Sequence, residues 1–220
     1  MKKLAVLCCL LAISPYSRAT VSNTNCSSIA GFVRQVITPG YNLVALPIPI
    51  TTNGDPAIEL SSLAPGDQLM LWNGTGYTTY LYRGTNWIGS QYTPVPTPSI
   101  VPGQGFFYIN AGNIKTNLSI GFLELSNTIV LPTGNSLVGT TVPYTATAED
   151  AVLQLPLQFG DTILQWNGTG YNTSVYAGTG QWFDGQTYRA VNVPWVQPGV
   201  GFIYQNNQIN TSAWSENFTN

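Results

Sequence analysis

One stretch of this chain occurs twice, and that repetition constrains the fold more than any other feature. Gly66-Asp67-Gln68-Leu69-Met70-Leu71-Trp72-Asn73-Gly74-Thr75-Gly76-Tyr77 returns 94 residues later as Gly160-Asp161-Thr162-Ile163-Leu164-Gln165-Trp166-Asn167-Gly168-Thr169-Gly170-Tyr171. Pro102-Gly103-Gln104-Gly105-Phe106 returns as Pro198-Gly199-Val200-Gly201-Phe202 at an offset of 96, so a loop between the anchors gains two residues. A period of this length marks one folding unit copied in tandem. Residues 29–117 form the first β unit and residues 118–220 the second, each ending in a closing strand.

Within a unit the periodicity is that of strands. Side chains two apart share a face. Met70 and Trp72 therefore lie together, as do Leu164 and Trp166. This places both tryptophans on the inner face of their units and Leu71, which becomes Gln165, near an edge or the surface. Thr, Val, Ile, Tyr and Trp dominate these runs, as pleated sheets prefer. The joints are turn chemistry. Asn73-Gly74 and Asn167-Gly168 supply residues that accept positive φ and predict hairpins. Pro102-Gly103 and Pro198-Gly199 lead into strands. The prolines of 93–98 predict an extended loop. Asp55-Pro56 and the Thr147, Glu149, Asp150 group predict short helical turns at matching places. The expected fold is all-β: two tandem, structurally equivalent antiparallel units, sandwich or barrel-like, with short helical turns and a pseudo-two-fold relation. About six strands per unit are expected, at 31–38, 41–46, 67–72, 77–82, near Trp87, and at 105–109.

The first nineteen residues read as a secretory signal. Lys2 and Lys3 precede ten apolar residues, and Ser17 and Ala19 place small side chains before a cleavage point at Thr20. Ten apolar residues fall short of the roughly 20 that cross a hydrocarbon core, so no membrane span is expected after cleavage. Residues 20–28 form a polar lead-in containing Cys26, the one cysteine outside the signal. A lone cysteine allows no intramolecular disulfide, so the core alone must hold the fold; Cys26 is either free or bridged to another chain. The expected location is outside the cytoplasm: secreted, at the cell surface, or in the periplasm. Removal of the signal leaves four basic residues against nine acidic ones. So few scattered cations exclude nucleic acid as a partner.

The absence of histidine removes the commonest general base and metal ligand. Cys26 has no imidazole partner, no serine sits in a nucleophile elbow, and the glycine-rich turns lack the lysine of a phosphate loop. Asp67 and Asp161 are the repeat-equivalent acids, and their place after glycine at a strand start points to turn aspartates. The chain is therefore expected to be no enzyme, with no catalytic residue, no metal site and no cofactor. The remaining chemistry is aromatic. Trp87, Tyr92, Trp182, Tyr188 and Trp195 lie outside the core strands and are the candidate glycan-binding residues, although burial in the core is the commoner fate of Trp.

The motifs Gly31-Phe32-Val33, Pro39-Gly40-Tyr41-Asn42-Leu43-Val44, Trp72-Asn73-Gly74, Trp87 and Pro102 to Phe107 resemble those of uncharacterised exported two-repeat β-proteins of Verrucomicrobia-like bacteria. The resemblance covers nearly the whole chain after the signal. It implies export and this architecture, and it carries no activity. The functional expectation is a secreted or cell-surface, non-catalytic β-repeat protein with a structural or adhesive role, its partners polysaccharide or cell-surface components. The alternatives are a carbohydrate-binding module acting through exposed Trp and Tyr and, third, a glycoside hydrolase, which would need two carboxyls roughly 5–9.5 Å apart in a cleft.

Overall fold

The computed structural model describes residues 30–48, 56–122 and 126–217. The signal segment, the lead-in with Cys26, and Asp55 lie outside the described residues. The first unit runs β1 (Ala30–Ile37), β2 (Gly40–Ala45), a single helical turn α1 (Pro56–Glu59), β3 (Gln68–Trp72), β4 (Tyr77–Tyr82), β5 (Trp87–Gly89), β6 (Pro94–Val95), β7 (Gly105–Asn110) and β8 (Lys115–Phe122). The second runs β9 (Ser126–Leu131), β10 (Gly134–Val138), β11 (Ala146–Thr147), β12 (Thr162–Trp166), β13 (Tyr171–Tyr176), β14 (Trp182–Asp184), β15 (Ala190–Val191), β16 (Trp195–Val196), β17 (Phe202–Asn206) and β18 (Ser212–Asn217). At the place matching α1, Asp150 Oδ1 accepts from the Val152 N–H at 2.8 Å and closes a turn, not a helix.

Each unit is a six-stranded antiparallel sheet with a two-stranded ribbon across it. The sheet orders are β2-β7-β3-β4-β5-β6 and β10-β17-β12-β13-β14-β15, and the ribbons are β1-β8 and β9-β18. β8 pairs with β1 along its whole length and closes the first unit. The same positions fill both cores. Ile37, Val44, Leu69, Trp87, Phe106 and Tyr108 correspond to Leu131, Val138, Ile163, Trp182, Phe202 and Tyr204. Burying each such side chain stabilises by roughly 1.5–3 kcal/mol.

The repeated Asn-Gly-Thr-Gly turn acts through its asparagine. Asn73 Oδ1 accepts from the N–H groups of Thr75 and Gly76 and from the Thr75 hydroxyl, and Asn167 repeats all three bonds. Gly74 and Gly168 sit at φ near +100°, where a side chain would be strained.

The faces of β3 and β12 are reversed from the expectation. Leu69 and Leu71 point into the unit's own core, while Met70 and Trp72 point out of it. Those outward side chains meet Leu164 and Trp166 of the other copy around a third core of Leu43, Phe107, Leu137 and Ile203. Trp72 and Trp166 are thus half-buried at a seam between the units, and Leu71 is a core residue. The seam has two-fold logic. The Trp72 indole N–H donates to the Asn135 carbonyl at 3.0 Å, and that of Trp166 donates to the Tyr41 carbonyl at 3.0 Å. The Ala45 N–H donates to the Gly199 carbonyl, and its counterpart at Gly139 donates to the Gly103 carbonyl. A self-complementary interface of this kind is how symmetric dimers meet; here it joins two copies within one chain.

Candidate functional site

The buried carboxylates Asp67, Asp161 and Glu216 are occupied with structure. Asp67 is buried, and its Oδ2 accepts from the Tyr108 hydroxyl, the Lys115 ammonium and the Ala64 N–H, while Oδ1 takes the Ala111 N–H. Burial works to raise its pKa, but Lys115, Tyr108 and the two backbone donors outweigh it and hold the carboxyl below the ordinary value of 3.8. Asp161 takes the equivalent bonds from Tyr204, Gln158 and Asn207, and a further one from the Gln208 amide to Oδ1, whereas Lys115 in the first copy bonds Oδ2. Burial and the adjacent carboxylate push both tyrosine hydroxyls well above the usual range. Glu216 is also buried, on β18. It accepts from the Thr140 and Thr141 hydroxyls and the Thr141 N–H, and burial raises its pKa against those donors.

The structure separates the five aromatic candidates. Trp87 and Trp182 are 3% and 1% exposed and close the two unit cores, so neither presents a face to a ligand. Tyr92 and Tyr188 are 82% and 78% exposed, each at the end of a hairpin loop, after β5 and β14 respectively. Trp195 is 54% exposed.

Trp195 stands on a fixed backbone. It lies on β16, pairs with Thr147 of β11, and its carbonyl accepts the Gln165 amide at 2.7 Å. It lines a groove of about 630 Å³ in the second unit, together with Trp166, Asn167, Asn172, Ser174 and Asp184. Asp184 Oδ1 already takes two N–H groups and the Thr187 hydroxyl, and these donors hold its pKa below 3.8. The matching groove of the first unit, about 460 Å³, has Ser99 in place of Trp195 and a wall of Pro96, Thr97 and Pro98. Among the described residues Asp184 is the only carboxylate lining either groove. No family model, curated protein or solved structure matches the chain.

The groove of the second unit offers a flat indole beside amide, hydroxyl and carboxylate groups. In concave binding sites apolar and aromatic surface gives contact area and a few placed polar groups fix orientation. A sugar ring has the matching character, an apolar face rimmed by hydroxyls. Reading the sequence missed Trp166, Asn167 and Asn172 as groove residues. The available signal was Gln165, polar where the first copy has Leu71. The Leu71 side chain joins a core, whereas the Gln165 amide bonds the Trp195 backbone.

Proposed function

We propose that this is an exported, non-catalytic adhesive protein that binds carbohydrate in the groove of its second unit. The observation that carries the reading is Trp195, a half-exposed indole held by backbone pairing over a wall of Asn167, Asn172, Ser174 and Asp184. Its neighbours are uncharged apart from Asp184, which suits hydroxyl recognition. The signal-like N-terminal segment and the likeness of the turn-and-core motifs to exported bacterial proteins support a place outside the cytoplasm. The engagement of Asp67, Asp161 and Glu216 in structural bonds supports a binding role over hydrolysis.

Affinity gel electrophoresis against a panel of neutral and acidic polysaccharides tests the reading. The wild-type protein is retarded by at least one polymer, and Trp195→Ala weakens that retardation by about tenfold or more, as truncation of an aromatic anchor does. Retention of full binding by Trp195→Ala, with a near-ultraviolet spectrum showing a native fold, contradicts it.

A further inference from the structure

The groove continues past the second unit. Trp166, Asn167, Gln197 and Val200 line both it and a hollow of about 390 Å³ at the seam. The first unit supplies the far wall of that hollow, with Arg34 and Gln35 from β1 and Tyr41 from β2. The four shared lining residues set the two hollows side by side, and together they are called the trough. It runs from Asp184 and Trp195, over Trp166, to Arg34.

The pseudo-two-fold supplies an internal comparison. The opposite seam hollow, about 370 Å³, has Thr128, Ile129 and Asn135 where this one has Arg34, Gln35 and Tyr41. It is uncharged and shares no lining residue with the groove of the first unit. Of the two seam hollows, one adjoins the groove of its unit and carries a cation among its lining residues.

Arg34 is the only cation lining the trough, and it makes no ion pair among the described residues. Its neighbours are tied down: the Gln35 amide donates to the Gly199 carbonyl, and the Trp166 indole donates to the Tyr41 carbonyl. The one acid of the trough, Asp184, lies in the part lined by Trp195 and outside the hollow that holds Arg34. A guanidinium offers a planar fork of donors that matches a carboxylate or a sulfate.

We propose that the trough takes an acidic polysaccharide, with an anionic substituent at Arg34 and sugar rings along Trp166 and Trp195. This rests on the carbohydrate reading above and adds the ligand's charge and the participation of the first unit. The test is affinity electrophoresis at low salt against two matched pairs: polygalacturonate with its methyl ester, and carboxymethyl cellulose with hydroxyethyl cellulose. The wild type is retarded about tenfold more strongly by the acidic member of at least one pair, a margin in keeping with a charge-assisted contact. Arg34→Gln reduces that margin to nothing, Arg34→Lys keeps part of it, and Trp195→Ala weakens binding of the acidic member. Equal retardation by both members of each pair, or an unchanged margin in Arg34→Gln, overturns the role of Arg34 and leaves the carbohydrate reading standing. Binding of the acidic member that survives Trp195→Ala undiminished leaves an anion contact without the groove and overturns the trough. No retardation by any of the four polymers overturns the acidic-polysaccharide proposal; the carbohydrate reading falls only when the wider panel also gives no retardation.

Discussion

Asp67 and Asp161 occupy one position in two copies, and each ties the start of a central strand to a tyrosine 41 or 43 residues away. Losing a charged acceptor from such a site leaves buried donors unsatisfied, at a cost of about 2–4 kcal/mol. Asp67→Asn is therefore expected to lower unfolding free energy by that amount in urea titrations, and it strands the Lys115 ammonium as well. The pH dependence has a definite sign. The Asp67 carboxyl is held below 3.8 in the folded protein, so its contribution is fully present above that value and is lost as pH falls through the lower folded pKa. Asp67→Asn should flatten the stability profile in that acid window; a profile as steep as the wild type's would contradict the assignment. The sequence made these residues legible as turn aspartates, because glycine before and a strand after are local signals. The tyrosine partners were not legible, since they come from another strand of the sheet. Glu216 was opaque for the same reason: its Thr140 and Thr141 partners lie 75 or 76 residues back.

Hairpins are where local sequence and structure agree best, and also where one oddity stands out. Asn73-Gly74 and Asn167-Gly168 turn the chain as their composition demands. At the ends of the loops after β5 and β14, however, Tyr92 and Tyr188 adopt φ of +58° and +55°. This left-handed region costs an ordinary residue roughly 1–2 kcal/mol, and the exposed rings gain little packing in return. Tyr92→Gly and Tyr188→Gly are each expected to stabilise the fold by about 1 kcal/mol, read as a raised melting temperature. A drop in stability would mean that the rings pack on the fold. Neither conformation can be read from sequence, because tyrosine carries no turn signal. Strand β3 gives the complementary lesson. Its alternation was legible, but its facing was not. Alternation shows that two faces differ; it identifies the core face only when the other face meets solvent. Here both are covered, one by the unit's own core and one by the other copy, so Leu71 and Trp72 are both packed side chains.

At the scale of the whole molecule, the 94-residue offset made two equivalent β units legible, but not their union. The apolar positions that build the seam, Leu43, Phe107, Leu137 and Ile203, resemble ordinary core positions in either copy. Only the three-dimensional arrangement shows that they face a partner. The seam also shapes the proposed site, because its two hollows draw Arg34 and Tyr41 from one unit and Trp166, Asn167 and Trp195 from the other. Reciprocal indole and backbone hydrogen bonds across the seam bind the copies into one body, so neither unit should melt alone. Differential scanning calorimetry of the chain measures this directly. A single transition whose calorimetric and van't Hoff enthalpies agree is the predicted result; two resolved transitions, each carrying about half the enthalpy, would contradict it.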